Sequence, residues 1–243
     1  MSFNSKKFDI NAFNELKVIV EEFDPSISLE EYTISSGMHT VVLEHEDKNK
    51  VILITQEKEK YTFLSKLKER ERFHLKKIKK APSNLPEAIT FAVQENKTLT
   101  MFEMNRASDF TEKYIESIVG KKFSFSNVLR DFTFGDDPYY PTIFSSSQEL
   151  KERKDELIND LEKRLEDNSV EIFEEFKTDI EFFQKYNDLS KQLIDSLSNS
   201  FDSVIDLNTN KSFVMDLHSE QFVLINGKLI CVDPVMFNYE SVF

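Results

Sequence analysis

Two aspartates and one glutamine flank a predicted β-hairpin, and their side chains are of the types that bind divalent cations. Asp216 and Gln221 precede the hairpin, and Asp233 follows it. Because a hairpin brings its two ends together, we expect the three side chains to converge. Carboxylate and amide oxygens can orient a hydroxyl group and bind Mg²⁺, which prefers oxygen ligands. The same spacing also fits a structural role, in which Asp216 caps a loop and Asp233 begins the turn before Pro234.

The predicted hairpin consists of two β-rich runs, 222–225 and 228–232, separated by Asn226-Gly227. An Asn-Gly pair favours a two-residue type I′ turn, because both central positions of that turn need a positive φ. The sequence therefore predicts that the segment 213–234 holds the candidate site at the two ends of this hairpin.

Several common classes of site are excluded by the residue counts. The four glycines, Gly37, Gly120, Gly135 and Gly227, form neither a dinucleotide-binding motif nor a P-loop, both of which need closely spaced glycines around a phosphate. A single cysteine rules out an intrachain disulfide and a thiolate zinc cluster. The four histidines do not form the His-Glu-x-x-His pattern of zinc proteases.

Charge is distributed unevenly along the chain. The net charge is −13, which disfavours general nucleic-acid binding. Residues 66–80, however, contain eight basic and two acidic residues, so the remainder carries −19. This basic segment is either the solvated face of a long helix or a docking patch for an acidic partner or RNA. No apolar run approaches the roughly 18 residues of a membrane span, and residues 1–20 carry charges throughout, so we expect a cytoplasmic protein.

The first half of the chain has the pattern of a small α+β unit. Helical spacing of apolar residues predicts helices over 8–23 and 61–80. Short β-rich runs predict strands over 31–34, 40–43, 51–54, 88–93 and 98–103.

After residue 105 the pattern becomes helical. We expect a helix over 109–119 and a loop over 133–145, then a helix opened by the capping box Ser146-x-x-Glu149 with a leucine stripe at 150, 157, 161 and 165. Asn168-x-x-Glu171 predicts the start of another helix. Its core-facing residues are expected to be Phe173, Phe176, Ile180 and Phe183, with the pattern resuming at Leu189, Leu193 and Leu197 after a kink near Asn187.

The segment 215–237, MDLHSEQFVLINGKLICVDPVMF, resembles the catalytic and metal-binding segment of protein-kinase-like phosphotransferases. It is most similar to the early serine/threonine kinases of short-tailed, autographivirus-type bacteriophages, which carry D-M-H-S-G-N and then T-D-P-V-S-F. The resemblance implies an α+β, kinase-like, two-lobe architecture. A small β-rich N-lobe would span 1–105, with the 61–80 helix at the position of αC, and a helical, truncated C-lobe would span 106–243.

By this resemblance Asp216 accepts the substrate hydroxyl proton, and Gln221 and Asp233 hold Mg²⁺. His218 either contacts a transferring phosphate or fixes the turn through backbone hydrogen bonds. The resemblance further implies ATP as cofactor, with contacts from Gly37, Lys50, Glu103 and Met104.

Because of three departures from the family pattern, more than one functional hypothesis fits the sequence. Leu53 stands where kinases have the phosphate-pairing lysine, Ser35-Ser36-Gly37-Met38 replaces the Gly-rich loop, and Gln221 replaces asparagine. One hypothesis is a degenerate pseudokinase that binds and modulates a host protein, such as a basic nucleic-acid-handling protein, in the host cytoplasm. The alternative is an active, atypical ATP- and Mg²⁺-dependent serine/threonine kinase that phosphorylates host proteins. A third possibility is a coincidental hairpin in an unrelated α+β protein.

Overall fold

A computed structural model describes residues 10–36, 40–45, 50–55, 58–71, 75–80, 100–105, 128–129, 132–133, 141–175, 180–217, 221–225 and 227–237. The chain divides into two compact units, Met1–Arg106 and Ala107–Phe243. Both units combine helices with antiparallel strands, so the predicted α+β class is confirmed.

The first unit contains a five-stranded antiparallel sheet and two helices. In chain order these are α1 (Ile10–Phe23), β1 (Tyr32–Ser36), β2 (Thr40–His45), β3 (Lys50–Thr55), α2 (Lys58–Glu71), β4 (Leu75–Lys80) and β5 (Thr100–Asn105). The sheet order is β1-β2-β3-β5-β4. The predicted first helix, the first three strands and the strand over 98–103 are all present. The predicted strand over 88–93 lies outside the described residues.

The two helices cover opposite faces of the sheet. Leu16, Ile19 and Val20 of α1 belong to one buried apolar cluster with Ile52 and Ile54 of β3. Because side chains alternate along a strand, Leu53 lies on the other face. Its cross-strand partner Phe102 is on that face too, and the Phe102 ring contacts the ring of Tyr61 in α2, with centroids 5.7 Å apart.

The predicted helix over 61–80 is wrong in its second half. Helix α2 ends at Glu71, and residues 75–80 form β4 at one end of the sheet order. Leu75 and Ile78 have a spacing that suits a helix, but pairing with β5 gives this segment a hydrogen-bond ladder instead. The basic segment 66–80 is therefore not one helix face. Its last four lysines, Lys76, Lys77, Lys79 and Lys80, lie on a terminal strand that has a register shift between Lys77 and Lys79. Lysines on an edge strand and register shifts are both features that protect sheet edges.

The second unit combines a helical hairpin with short strands. The elements are β6 (Ile143–Phe144), α3 (Ser147–Glu175), α4 (Ile180–Ile205), β7 (Phe213–Met215), β8 (Phe222–Ile225), β9 (Lys228–Cys231) and β10 (Val235–Phe237). Strands β10, β7 and β6 form one sheet, and β8 and β9 form the predicted hairpin. The rings of Phe144, Phe213 and Phe237 pack in series, with centroid distances of 5.4 Å between neighbours.

The capping box at the start of α3 is confirmed, with one difference in its bonds. Ser146 Oγ accepts the Glu149 N–H at 3.3 Å, as the pattern predicts. The Glu149 carboxylate, however, accepts from the backbone N–H and hydroxyl of Ser145, at 2.8 and 2.7 Å, rather than from the N–H of Ser146. Both bonds satisfy donors at a helix start, where intrahelical partners are missing.

Two predictions for the two long helices are wrong. Helix α3 runs without interruption through Asn168, because residues of middling helix propensity do not by themselves end a helix. Helix α4 includes Asn187 in one continuous span, and the kink expected near this residue stays a prediction. Ile180, expected in the core, is 75% exposed at the first position of α4. Leu189, Leu193 and Leu197 are buried as predicted. The loop expected over 133–145 contains the short strand β6, and the predicted helix over 109–119 lies outside the described residues.

Candidate functional site

The two ends of the β8–β9 hairpin are held together by backbone hydrogen bonds. The register pairs Ile225 with Lys228, which leaves a two-residue turn at 226–227, and Gly227 has a φ of +77°. At the open end, the Val232 N–H donates to the Gln221 carbonyl at 2.8 Å. The Asp216 N–H donates to the Pro234 carbonyl at 3.0 Å. The segments before and after the hairpin are thus in direct contact, as the sequence predicts.

Strands β7 and β10 bring the same segments together from outside the hairpin. They pair antiparallel, and Met215 lies opposite Val235. Asp216 is the residue that follows β7, and Asp233 lies two positions before β10 begins. Leu217 is fixed as well, because its carbonyl accepts from the buried Thr133 hydroxyl at 3.1 Å.

Two of the candidate side chains are in direct contact. Gln221 Nε2 donates to Asp216 Oδ2 at 3.2 Å, and both residues are partly buried. A third side chain, that of Cys231, is affected by both candidate carboxylates. Burial raises the pKa of the Cys231 thiol, and the negative charges of Asp233 and Asp216 each raise it further. His218 lies outside the described residues.

The donor set fits a hard divalent cation by its chemistry. Asp216 and Asp233 supply carboxylate oxygens, and Gln221 donates through its amide nitrogen, so its carbonyl oxygen is the atom suited to a cation. In the described part of the chain, no three Cys, His, Asp or Glu residues are grouped to hold a metal ion. Two carboxylates and one amide would therefore be the ligands that the protein offers to Mg²⁺.

Two serines of α4 also contact this region, and the sequence reasoning did not identify them. Ser196 Oγ accepts the Cys231 N–H at 2.6 Å, and Ser200 Oγ donates to the Cys231 carbonyl at 2.6 Å. Both serines are buried. Their spacing of four residues, within the leucine-striped face of a helix, is the sequence signal that could have identified them.

The site residues predicted in the first unit form a separate group. Lys50 Nζ lies 2.9 Å from Glu103 Oε1, which makes an ion pair between β3 and β5. Glu103 is the cross-strand partner of Ile52, so this ion pair lies on the α1 face of the sheet, opposite Leu53. Met104 is buried in β5, and Gly37 lies outside the described residues.

No family model matches the chain, and no curated protein or solved structure shows detectable similarity to it. Among the helices in the described ranges, none has the length and apolar character needed to cross a membrane.

Proposed function

We propose that this chain is a degenerate, phage-type kinase-like protein that has lost efficient phosphoryl transfer and acts by binding and modulating a host protein. The observation that carries the proposal is the environment of Leu53. This residue stands where the resembling family has a lysine that pairs with the nucleotide phosphates, and it is buried at 8% exposure. The buried side chains on the α2 face are mostly apolar, namely Phe63, Leu64 and Leu67 of α2 and Phe102 of β5, and the polar ones on the same face, Thr55 and Thr100, are uncharged.

The lysine closest in sequence does not replace the missing one. Lys50 lies on the opposite face of β3, where its ammonium group pairs with Glu103. A side chain on that face cannot reach the α2 face without crossing a strand whose other residues are buried. Phosphoryl transfer depends on positioned positive charge around the phosphates, so the absence of this lysine argues against efficient catalysis.

The arrangement of elements supports the kinase-like part of the proposal. In chain order, helix α2 follows β3 and precedes β4 of the antiparallel sheet. This is the position that the resemblance assigns to αC. In the second unit, Asp216 follows strand β7, and Asp233 precedes strand β10, which pairs with β7. The β8–β9 hairpin lies between the two aspartates in the chain. This is the order of parts that the resemblance implies for the catalytic and metal-binding aspartates.

Surface charge supports a basic partner. The chain outside residues 66–80 carries −19. Along 147–167 of α3, the exposed acidic residues outnumber the exposed lysines; the acidic ones are Glu152, Asp155, Glu156, Glu162, Glu166 and Asp167, and the lysines are Lys151 and Lys163. A surface of this sign attracts basic proteins and disfavours direct contact with nucleic acid. A host protein that itself binds nucleic acid has the complementary charge.

The test is a transfer assay with labelled ATP, Mg²⁺ or Mn²⁺, and a host lysate. We expect no labelling above background, and the same background with Asp216→Ala and Asp233→Ala. Asp195→Ala, at an exposed position of α4, is the matched control for removing a carboxylate from the same unit. Labelling that both site variants abolish and the control retains would overturn the proposal.

The contact between Gln221 and Asp216 favours a second candidate, an active atypical serine/threonine kinase. An amide that fixes the carboxylate of Asp216 could orient a substrate hydroxyl and a cation together. In this case Gln221→Asn, which restores the amide length that the resemblance implies, should raise labelling. Under the degenerate-kinase proposal the same variant changes cation affinity but produces no transfer.

A further inference from the structure

The edge of β9 that faces away from β8 carries backbone N–H and C=O groups that cannot form hydrogen bonds within the hairpin. Val232 donates to Gln221 within the hairpin, so these two residues form a hydrogen-bonded pair. In an antiparallel pair, hydrogen-bonded and non-hydrogen-bonded positions alternate. The next pair, Phe222 and Cys231, is therefore non-hydrogen-bonded, and the N–H and C=O groups of Cys231 point away from β8. Cys231 is fully buried, so water does not reach these groups.

Helix α4 supplies the missing partners. Ser196 and Ser200 are one turn apart on the same helix face, and they bind the Cys231 N–H and C=O, each at 2.6 Å. Two side-chain hydroxyls thus take the place of a third strand on this edge. The two hydrogen bonds hold the peptide groups before and after the Cys231 Cα on the same edge of β9, which fixes the position of the strand against α4.

We infer that Ser196 and Ser200 are positioning residues that set where Asp233 lies relative to Asp216. Cys231 is two residues before Asp233, and the intervening Val232 is tied to Gln221. Asp216 is hydrogen-bonded to the same junction, because its N–H donates to the Pro234 carbonyl and its carboxylate accepts from Gln221. If the serine contacts were lost, the segment from Cys231 to Asp233 would lose its connection to α4 and keep only its hydrogen bonds to the residues around Asp216. The inference rests on the proposed cation site and adds to it the residues that hold its shape.

A third serine provides a matched control for burial and helix stability. Ser203 lies on the same helix and is fully buried, but its hydroxyl donates to the carbonyl of Asn199 within α4, at 2.8 Å. Replacing it with alanine removes a buried hydroxyl without touching β9. Any effect common to all three serines is therefore an effect on α4, and any effect confined to Ser196 and Ser200 belongs to the contact with β9.

The test measures Mn²⁺ affinity of the full chain by the electron paramagnetic resonance signal of free Mn²⁺. The variants are Ser196→Ala, Ser200→Ala and Ser203→Ala, and the thermal midpoint of each is recorded alongside. Removing groups that orient metal ligands typically lowers affinity 10- to 100-fold. We expect a loss of roughly tenfold for Ser196→Ala and Ser200→Ala, and no loss for Ser203→Ala at a comparable decrease in midpoint. Equal affinities in all three variants would overturn the inference.

A second readout separates this inference from the proposed function. Hydrogen exchange at the amides of Val232 and Asp233 reports on the end of β9 whether or not a cation binds. Faster exchange in Ser196→Ala and Ser200→Ala than in Ser203→Ala supports the positioning role, and unchanged exchange contradicts it. Failure of the wild-type chain to bind Mn²⁺ would instead contradict the cation site. Each alanine variant keeps the other serine contact, so if one of the two does not fold, the other still gives the result.

Discussion

Leu53 links the packing of β3 to the proposed loss of transfer activity. A lysine at this position would have to place its ammonium group among buried apolar side chains, where the charged form is poorly solvated. The apolar surroundings therefore suit leucine, and the lysine cannot be restored without a cost to the fold.

We predict that Leu53→Lys destabilises the protein by about 3 kcal/mol, as expected for a buried lysine whose pKa falls by two or more units. The measurement is urea unfolding at neutral pH, together with a thermal-shift assay for ATP. Val18→Lys is the control, because Val18 is 57% exposed on α1. A stable Leu53→Lys variant that gained ATP binding would show that the α2 face accepts a charge, and would favour the active kinase.

Glu149 gives a pH-dependent prediction at the same scale. Hydrogen bonds from the backbone N–H and the hydroxyl of Ser145, and secondarily the charge of Arg153, lower the pKa of this carboxyl. The charged form is favoured in the folded state, so its stabilising effect is complete above the ordinary glutamate pKa of about 4.3. It is lost as the pH falls through the lowered pKa of the folded state.

We therefore expect Glu149→Gln to lose about 0.5 kcal/mol of stability at pH 7. This value is at the low end for a capping interaction, because the Glu149 side chain is one-third exposed. The difference from wild type should shrink as the pH is lowered below about 4. Denaturant unfolding at several pH values measures this, with Glu156→Gln at an exposed position of α3 as the control. A difference that stayed constant down to the acid limit would rule out the charged cap as its source.

At the scale of elements, the sequence predicts best those features whose cause is local. The hairpin, its Asn-Gly turn and the start of α3 at Ser146 depend on a few neighbouring residues, and all three are present. The second capping pattern, at Asn168, lies inside α3 because a local signal does not by itself interrupt a helix that is already formed on both sides of it. The residues of β4 have the spacing of a helix, because the pairing of this strand with β5, some 25 residues later, has no local signature.

The same limit applies to the candidate site. Asp216, Gln221 and Asp233 could be identified because the hairpin between them is short and strongly signalled. The spacing of Ser196 and Ser200 places them on one face of α4, but the sequence does not show that they contact Cys231, or that Thr133 contacts Leu217, because these contacts join segments that are far apart in the chain. Their roles depend on tertiary packing, which residue spacing alone does not encode.

The pairing of α3 with α4 allows one prediction for these elements. Tyr186 of α4 is buried, and its hydroxyl donates to the Leu165 carbonyl of α3 at 2.8 Å. Tyr186→Phe keeps the ring and removes the hydrogen bond, so we expect a loss of about 1 kcal/mol. Urea unfolding followed by circular dichroism measures the change. A loss below about 0.3 kcal/mol would mean that the hydroxyl adds little to the contact between the helices.

At the scale of the whole molecule, the two units each have a core of their own. In Met1–Arg106 the core lies on both faces of the sheet, against α1 and α2, and in Ala107–Phe243 it includes Phe144 and Phe213 and the leucines of α3 and α4. Compact units with separate cores can fold independently.

We accordingly predict that fragments 1–106 and 107–243, produced separately, each unfold in a cooperative thermal transition. Circular dichroism melting curves test this, with the full chain measured under the same conditions. A fragment that melts gradually, without a transition, would show that its core is not sufficient by itself.

The thiol of Cys231 allows the opening of β9, the strand that leads to Asp233, to be measured. The chain has no other cysteine, and this thiol is fully buried with a raised pKa, so it reacts with an alkylating reagent only when β9 leaves its place between β8 and α4. The alkylation rate at increasing reagent concentration then gives the frequency and the free energy of that opening. A single natural side chain, without any introduced label, thus reports how often β9 opens next to the candidate site.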